Sequence, residues 1–195
     1  MILVVDLSCK KDSLGFYEFV LPILSIAKES DECVVKHYSE LKRCEDLSKF
    51  DSVILSGTAL KDHATLSQPE KFEWIRDCGK PVLGICAGMQ TIGLVFGLRL
   101  KKCLRVGMAQ IRTLTANPLF CSTFKAYTLH NYSVTSSPEF DVLAESEKCV
   151  QAIKHKRTET YGVLFHPEVR NKEIIQRFIL RFRATEEYNT HTNKN

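Results

Sequence analysis

Two short stretches carry side chains able to do covalent chemistry: Gly84-Ile85-Cys86-Ala87-Gly88, and His166-Pro167-Glu168. A thiolate that attacks a carbonyl needs a base to move protons, and the base needs a group that fixes its tautomer. Cys86 follows the apolar run Val82 to Ile85 and precedes Met89, Ile92, Val95 and Phe96 at helical spacing. That is the pattern of a strand-to-helix elbow, with small neighbours permitting a tight turn. A cysteine at a helix N-terminus meets free amides and the positive end of the helix dipole, which favour thiolate over thiol. His166 closes a second apolar run, Tyr161 to Phe165, and so falls at the carboxyl edge of a sheet, where ligand sites of open α/β sheets form. Pro167 fixes the turn, and Glu168 can fold back to hold the imidazole.

The elements that must position these groups follow from periodicity. Met1 to Asp6, Cys33 to Tyr38, Phe50 to Ser56 and Val82 to Ile85 read as buried strands. Asp12 or Ser13 caps a helix whose apolar positions are Phe16, Phe19, Val20, Ile23, Leu24 and Ala27; Pro22 kinks it or delays its start. Ser67-Gln68-Pro69-Glu70 opens a helix running to about Asp77. Past Gly97 the texture changes to short strands without helices between them: Leu98 to Leu104, Met108 to Leu114, Phe124 to Leu129, Asp141 to Ser146 and Cys149 to His155. Tyr161 to Phe165 returns to the main sheet, and Asn171 to Arg183 is a final amphipathic helix. The expected fold is α/β: a largely parallel open sheet flanked by helices, with an antiparallel addition in the second half. One domain over residues 1–184 is expected, and 185–195 reads as a disordered polar tail.

A net charge of +4 with scattered basic residues gives no nucleic-acid footprint. No segment approaches the apolar length of a membrane-spanning helix, and the start shows no secretory signal, so a cytoplasmic protein is expected. The eight cysteines form no C-x-x-C pair and no histidine cluster joins them, which points away from zinc; no metal or cofactor is expected.

The motifs resemble the class I glutamine amidotransferases, whose glutaminase domain uses a Cys-His-Glu triad. The matching pieces are Ile54-Leu55-Ser56-Gly57, Pro81 to Gln90, Phe96-Gly97 and Tyr161 to Val169, in order and spacing, and the likeness spans roughly Met1 to Phe182. It lies closest to free-standing glutaminase subunits, such as that of two-subunit GMP synthase. The resemblance implies Cys86 as nucleophile, His166 as general base and acid, and Glu168 as its orienter. It implies an oxyanion hole from the backbone amides of Gly57 and Ala87, with Gln90 and Leu129-His130-Asn131 binding glutamine, the latter through backbone. On spacing alone Gly57 reads equally well as a plain strand-ending turn, and Gln90 as an exposed helix residue.

The chain departs from the family pattern at Thr58-Ala59, where Gly-Pro is usual, at Leu164 in place of glutamine, and at Asn131-Tyr132 after the histidine. The implied reaction is hydrolysis of L-glutamine to glutamate and ammonia through a cysteine thioester, the ammonia passing to an ATP-using synthetase subunit on another chain. Two other readings stand beside it: a free-standing hydrolase of γ-glutamyl amides or peptides, and a non-catalytic regulatory subunit with the same fold.

Overall fold

Four apolar runs of four or five residues, too short and too β-branched for buried helices, lie side by side as strands with both faces covered. The computed structural model describes residues 1–41, 46–147 and 149–192, with side chains as far as 183. Its strands are β1 (Ile2–Asp6), β2 (Cys33–His37), β3 (Ser52–Leu55), β4 (Val82–Ile85), β5 (Leu100–Thr113), β6 (Phe124–Val134), β7 (Phe140–Ser146), β8 (Cys149–His155) and β9 (Thr160–Val163). They form one nine-stranded sheet in the order β2-β1-β3-β4-β9-β8-β7-β5-β6. The first five in that order are parallel, and the pairs from β9 onward are antiparallel. The expected architecture is therefore the one observed.

Alternation along the strands splits the core into two layers. Ile2, Val4, Ile54 and Leu83 face α1 (Leu21–Lys28) and α4 (Glu173–Thr192), meeting Ile23, Ala27, Ile175 and Phe178. Leu3, Val5, Val53, Leu55 and Val82 face the other way, onto Phe72, Ile75, Met89, Ile92 and Val95. Those partners belong to the segment Pro69–Phe72, α2 (Trp74–Asp77) and α3 (Ala87–Val95). Ile92 and Phe178 are fully buried, so truncating either to alanine costs about 2–5 kcal/mol. Among the described residues, no helix is long and apolar enough to cross a membrane.

Several expected boundaries move. Pro22 delays the α-helix: Phe16–Val20 winds as a π-turn and α1 begins at Leu21, because proline offers no amide and crowds the carbonyl four residues back. The helix expected to open at Ser67 is one 3₁₀ segment, Pro69–Phe72, followed by the single turn of α2, with a separate 3₁₀ turn, Thr65–Ser67, before it. Too few residues separate Pro69 from the Gly79-Lys80-Pro81 stop for a cooperative α-helix. The two strands expected on either side of Arg105 to Gly107 are one, β5, which passes its register irregularity between Lys102 and Arg105. Gly107 sits within it at φ 108°, a backbone conformation in which a side chain is strained. The backbone of α4 continues past Arg183 to Thr192; the side chains from 184 and residues 193–195, where a disordered tail is expected, lie outside the described residues.

Candidate active site

The parallel register brings the two chemical stretches together. Ile85 at the end of β4 pairs with Val163 at the end of β9, so Cys86 and the Leu164-Phe165-His166 segment leave the sheet side by side. Leu55 of β3 pairs with Gly84, which sets Ser56-Gly57 at the same edge.

Cys86 is the residue before α3 and adopts φ 49°, ψ −101°, a strained conformation for a residue with a side chain. Its backbone amide donates to Val163 O at 2.8 Å, pinning the elbow to β9. The flanking glycines are sterically required. A Cβ on Gly88 would stand 2.7 Å from Leu55 O, and one on Gly84 would stand 2.5 Å from the Gly88 carbonyl carbon. Helix and strand backbones pack too closely there for any side chain. The thiol is 4% exposed and lies 3.4 Å from Leu129 O on β6.

His166 is buried, and its backbone amide donates to Tyr127 O at 2.8 Å. Nδ1 lies 2.6 Å from Glu168 Oε1, so the ring is held through that nitrogen, as the tautomer argument requires. Nε2 has no hydrogen-bond partner among the described residues. Burial opposes charging the imidazole, but the negative charges of Cys86 and Glu168 outweigh that penalty and raise His166 well above its ordinary range. Gly57 packs against this ring: a Cβ there would come within 2.9 Å of His166 Cε1. The backbone amides of Gly57 and Ala87 face no acceptor among the described residues, which leaves both free to donate.

In front of the thiol lies a pocket walled by Cys86, Ala87 and Gln90, by Leu129, His130, Asn131 and Tyr132, and by Thr58 to Leu60, Asp62 and His63. Six of the nine residues singled out from the sequence line it. Gly57, His166 and Glu168 are not on its wall. Gln90 is buried rather than exposed, and its Nε2 donates to Tyr132 O at 2.7 Å, tying α3 to β6. The imidazole of His130 is turned to the Cys103 carbonyl, 2.8 Å from Nδ1, so the pocket receives this residue's backbone. Burial, against that hydrogen bond, pushes His130 down to about 4 and keeps the ring neutral near neutral pH.

The Thr58–Asp62 loop is the part sequence reasoning left undescribed beyond its departure from Gly-Pro. Thr58 is buried, and its hydroxyl donates to Asp62 O at 3.2 Å. Asp62 in turn accepts from the amides of Cys9 (2.7 Å) and Ala64 (3.2 Å). Asn131 Nδ2 donates to Leu60 O at 2.6 Å and draws the loop onto β6. With the loop so tied, the pocket has room for about 20 Å³, near the space of one water. Asn131 was visible in the sequence only as a binding residue; its contact lies 71 positions away and leaves no local signal.

Residues 25–183 match the sequence profile of a family described as Glutamine amidotransferase class-I. A subunit of the glutamine-hydrolyzing GMP synthase from Methanosphaera stadtmanae is 40% identical over 109 residues, covering 50% of this chain and 59% of that one. The subunit of the same description from Sulfolobus acidocaldarius is 30% identical over 143 residues, covering 68% and 74%. Among solved structures, a candidate GMP synthase subunit from Thermoplasma acidophilum superposes with a TM-score of 0.79 at 24% identity, covering 97% of this chain and 96% of that one. A glutamine amidotransferase from Thermotoga maritima does so with a TM-score of 0.66 at 17% identity, covering 97% and 85%.

Proposed function

We propose that this chain, which belongs to the class I glutamine amidotransferase family, hydrolyses L-glutamine and delivers the ammonia to a synthetase subunit. The observation that carries the reading is the placement of His166: Nδ1 is held by Glu168 at 2.6 Å, Nε2 is unpartnered, and the Cys86 charge is among those that raise its pKa. One domain, residues 1–184, suffices for this chemistry.

The imidazole takes the thiol proton and Cys86 Sγ attacks the side-chain amide carbon of glutamine. Charge develops on the amide oxygen, where the Gly57 and Ala87 amides would donate to it. Such donors are each worth about 10²–10³ in rate. His166 then gives its proton to the departing nitrogen, so ammonia leaves and a γ-glutamyl thioester remains. The same imidazole removes a proton from water, which cleaves the thioester to glutamate and returns the thiol. Gln90 and the Leu129-His130-Asn131 backbone would fix the substrate. Glu168 exchanges no proton with it; its carboxylate orients the ring and stabilises its charge.

The partner is suggested by the relatives, two of which are named as subunits of GMP synthase, and by the tightness of the pocket. A pocket with room for about 20 Å³ is tight for glutamine, which suits a glutaminase that gains activity when its ATP-using synthetase docks. The test is glutamine turnover by the purified chain, alone and with a synthetase subunit of the GMP synthase kind plus its substrates. A low rate alone and a large rise with partner is expected. An unchanged rate rejects the partner, and no turnover in either case rejects the glutaminase. Peptide mapping after a glutamine-mimicking electrophile should place the label on buried Cys86, ahead of exposed Cys9 and Cys121.

A further inference from the structure

We infer that Cys103, His130 and Cys149 form a zinc site that ties β5, β6 and β8 together behind the glutamine pocket. Their spacing in sequence gives no metal motif, because the three come from separate strands. In the fold, one ligand atom from each lies within 4.8 Å of the other two. Tetrahedral zinc with Zn–S bonds of about 2.3 Å needs sulfurs about 3.8 Å apart. Closing the cluster therefore takes side-chain movements of about 1 Å.

The imidazole is already prepared. The His130 Nδ1 bond to the Cys103 carbonyl, 2.8 Å, fixes the tautomer and leaves the Nε2 lone pair for the metal. The polar atom recorded against Nε2 is Gln151 Nε2 at 3.4 Å, a long contact that a metal displaces cheaply. Gln151 is fully buried, and its Oε1 has no hydrogen-bond partner among the described residues. A water in the fourth metal position would donate to that oxygen and satisfy it. A disulfide between the two cysteines would use only the sulfurs and leave His130 Nε2 and Gln151 Oε1 as they are.

Charge and access agree. Two thiolates and one Zn²⁺ sum to zero, so the closed site buries no net charge. Cys103 and Cys149 line an open surface pocket with Ser146 and Glu147, which gives the ion a path in. Three cations, Lys101, Lys102 and Arg105, lie on the same pocket, and Arg105 is paired with Glu147. Two sulfurs and an imidazole select zinc over magnesium or calcium. Binding exchanges two thiol protons for the metal, with no change in oxidation state.

The test uses the whole chain, fully reduced, stripped with a chelator and titrated with ZnCl₂ and separately with CoCl₂. One zinc per chain, release of two protons, and cobalt spectra with thiolate charge-transfer bands are expected. Cys149→Ser and Cys103→Ser should each weaken binding by more than the roughly 10–100-fold that loss of an outer-shell partner costs. Cys121→Ser, at an exposed cysteine, should bind as the parent does. Absence of stoichiometric zinc in the reduced parent overturns the site, whatever the variants do. So does unchanged binding in both serine variants, or recovery of the two cysteines as a disulfide in a chain that takes up no metal once reduced.

Discussion

The parallel and antiparallel halves of the sheet are built to different rules. Strands β1, β3, β4 and β9 are buried at every position, between helices on both faces. Along β5 the burial alternates instead, and Leu104, Val106 and Met108 stand exposed on one face at 65%, 60% and 48%. The first half contributes Cys86, His166 and Glu168, each leaving a fully enclosed strand and each held by short contacts. The second contributes β6, whose backbone faces the pocket and whose Asn131 reaches back to a loop of the first. The groups proposed to react leave fully enclosed strands, whereas β6, with partly exposed positions, supplies Leu129 to Tyr132 of the pocket wall. Changes in the parallel half should therefore strike turnover and stability, whereas changes in β6 should strike substrate entry and the response to a partner.

The sharpest way to break this division is His166→Ala. With the imidazole gone, turnover should fall by at least about 10⁴-fold; circular dichroism should show the fold retained, with a lower melting temperature because buried Glu168 loses its partner. Turnover at the parent rate would remove His166 from the chemistry and the parallel half from its assigned role.

Glu168→Gln should cost less, and its signature is in pH. The His166 pKa is raised, so the proton that the proposed reaction gives to ammonia is retained above the ordinary histidine range. The stabilisation this lends the fold is fully present below the unfolded value of about 6.5 and is lost as pH rises through the folded one. Removing the Glu168 charge takes away one of the two negative charges that raise it. The alkaline limb of kcat should accordingly shift to lower pH. A pH profile identical to the parent's would mean that Glu168 has no hold on the ring.

What the sequence made legible divides along the same line. The elbow and the strand-end histidine were readable because a short buried strand, two glycines and a proline each act locally. Gly88 shows why: its Cβ would meet Leu55 O at 2.7 Å, a constraint written into residue type. The continuity of β5, the 71-residue reach from Asn131 to Leu60 and the Cys103-His130-Cys149 cluster depend on strand register. No property of those residues in isolation encodes it. Gly88→Ala tests the local side, since the elbow cannot yield without moving β3. We expect a loss of about 1–3 kcal/mol in stability, read by chemical denaturation, together with reduced turnover. Wild-type stability would show the elbow to be softer than its geometry implies.

The smallest expected effect tests the other half. Asn131→Ala removes the hydrogen bond that draws the Thr58–Asp62 loop onto β6, 2.6 Å from Leu60 O. The backbone of Asn131, which is the part assigned to glutamine, remains in place on β6. One such bond is worth about 0.5–1.5 kcal/mol, so freeing the loop should shift the balance between the tight pocket and a wider one by a few-fold. If closure is what limits the isolated chain, kcat/KM for glutamine without partner should rise by that factor. The rate with synthetase should change little if docking, as proposed, already loosens the loop. The ratio of the two, the stimulation by partner, should then fall. Loss of activity equally in both states would instead assign the Asn131 side chain to substrate binding. The loop would then be a fixed wall of the pocket, and the antiparallel half would share the rigidity of the parallel one.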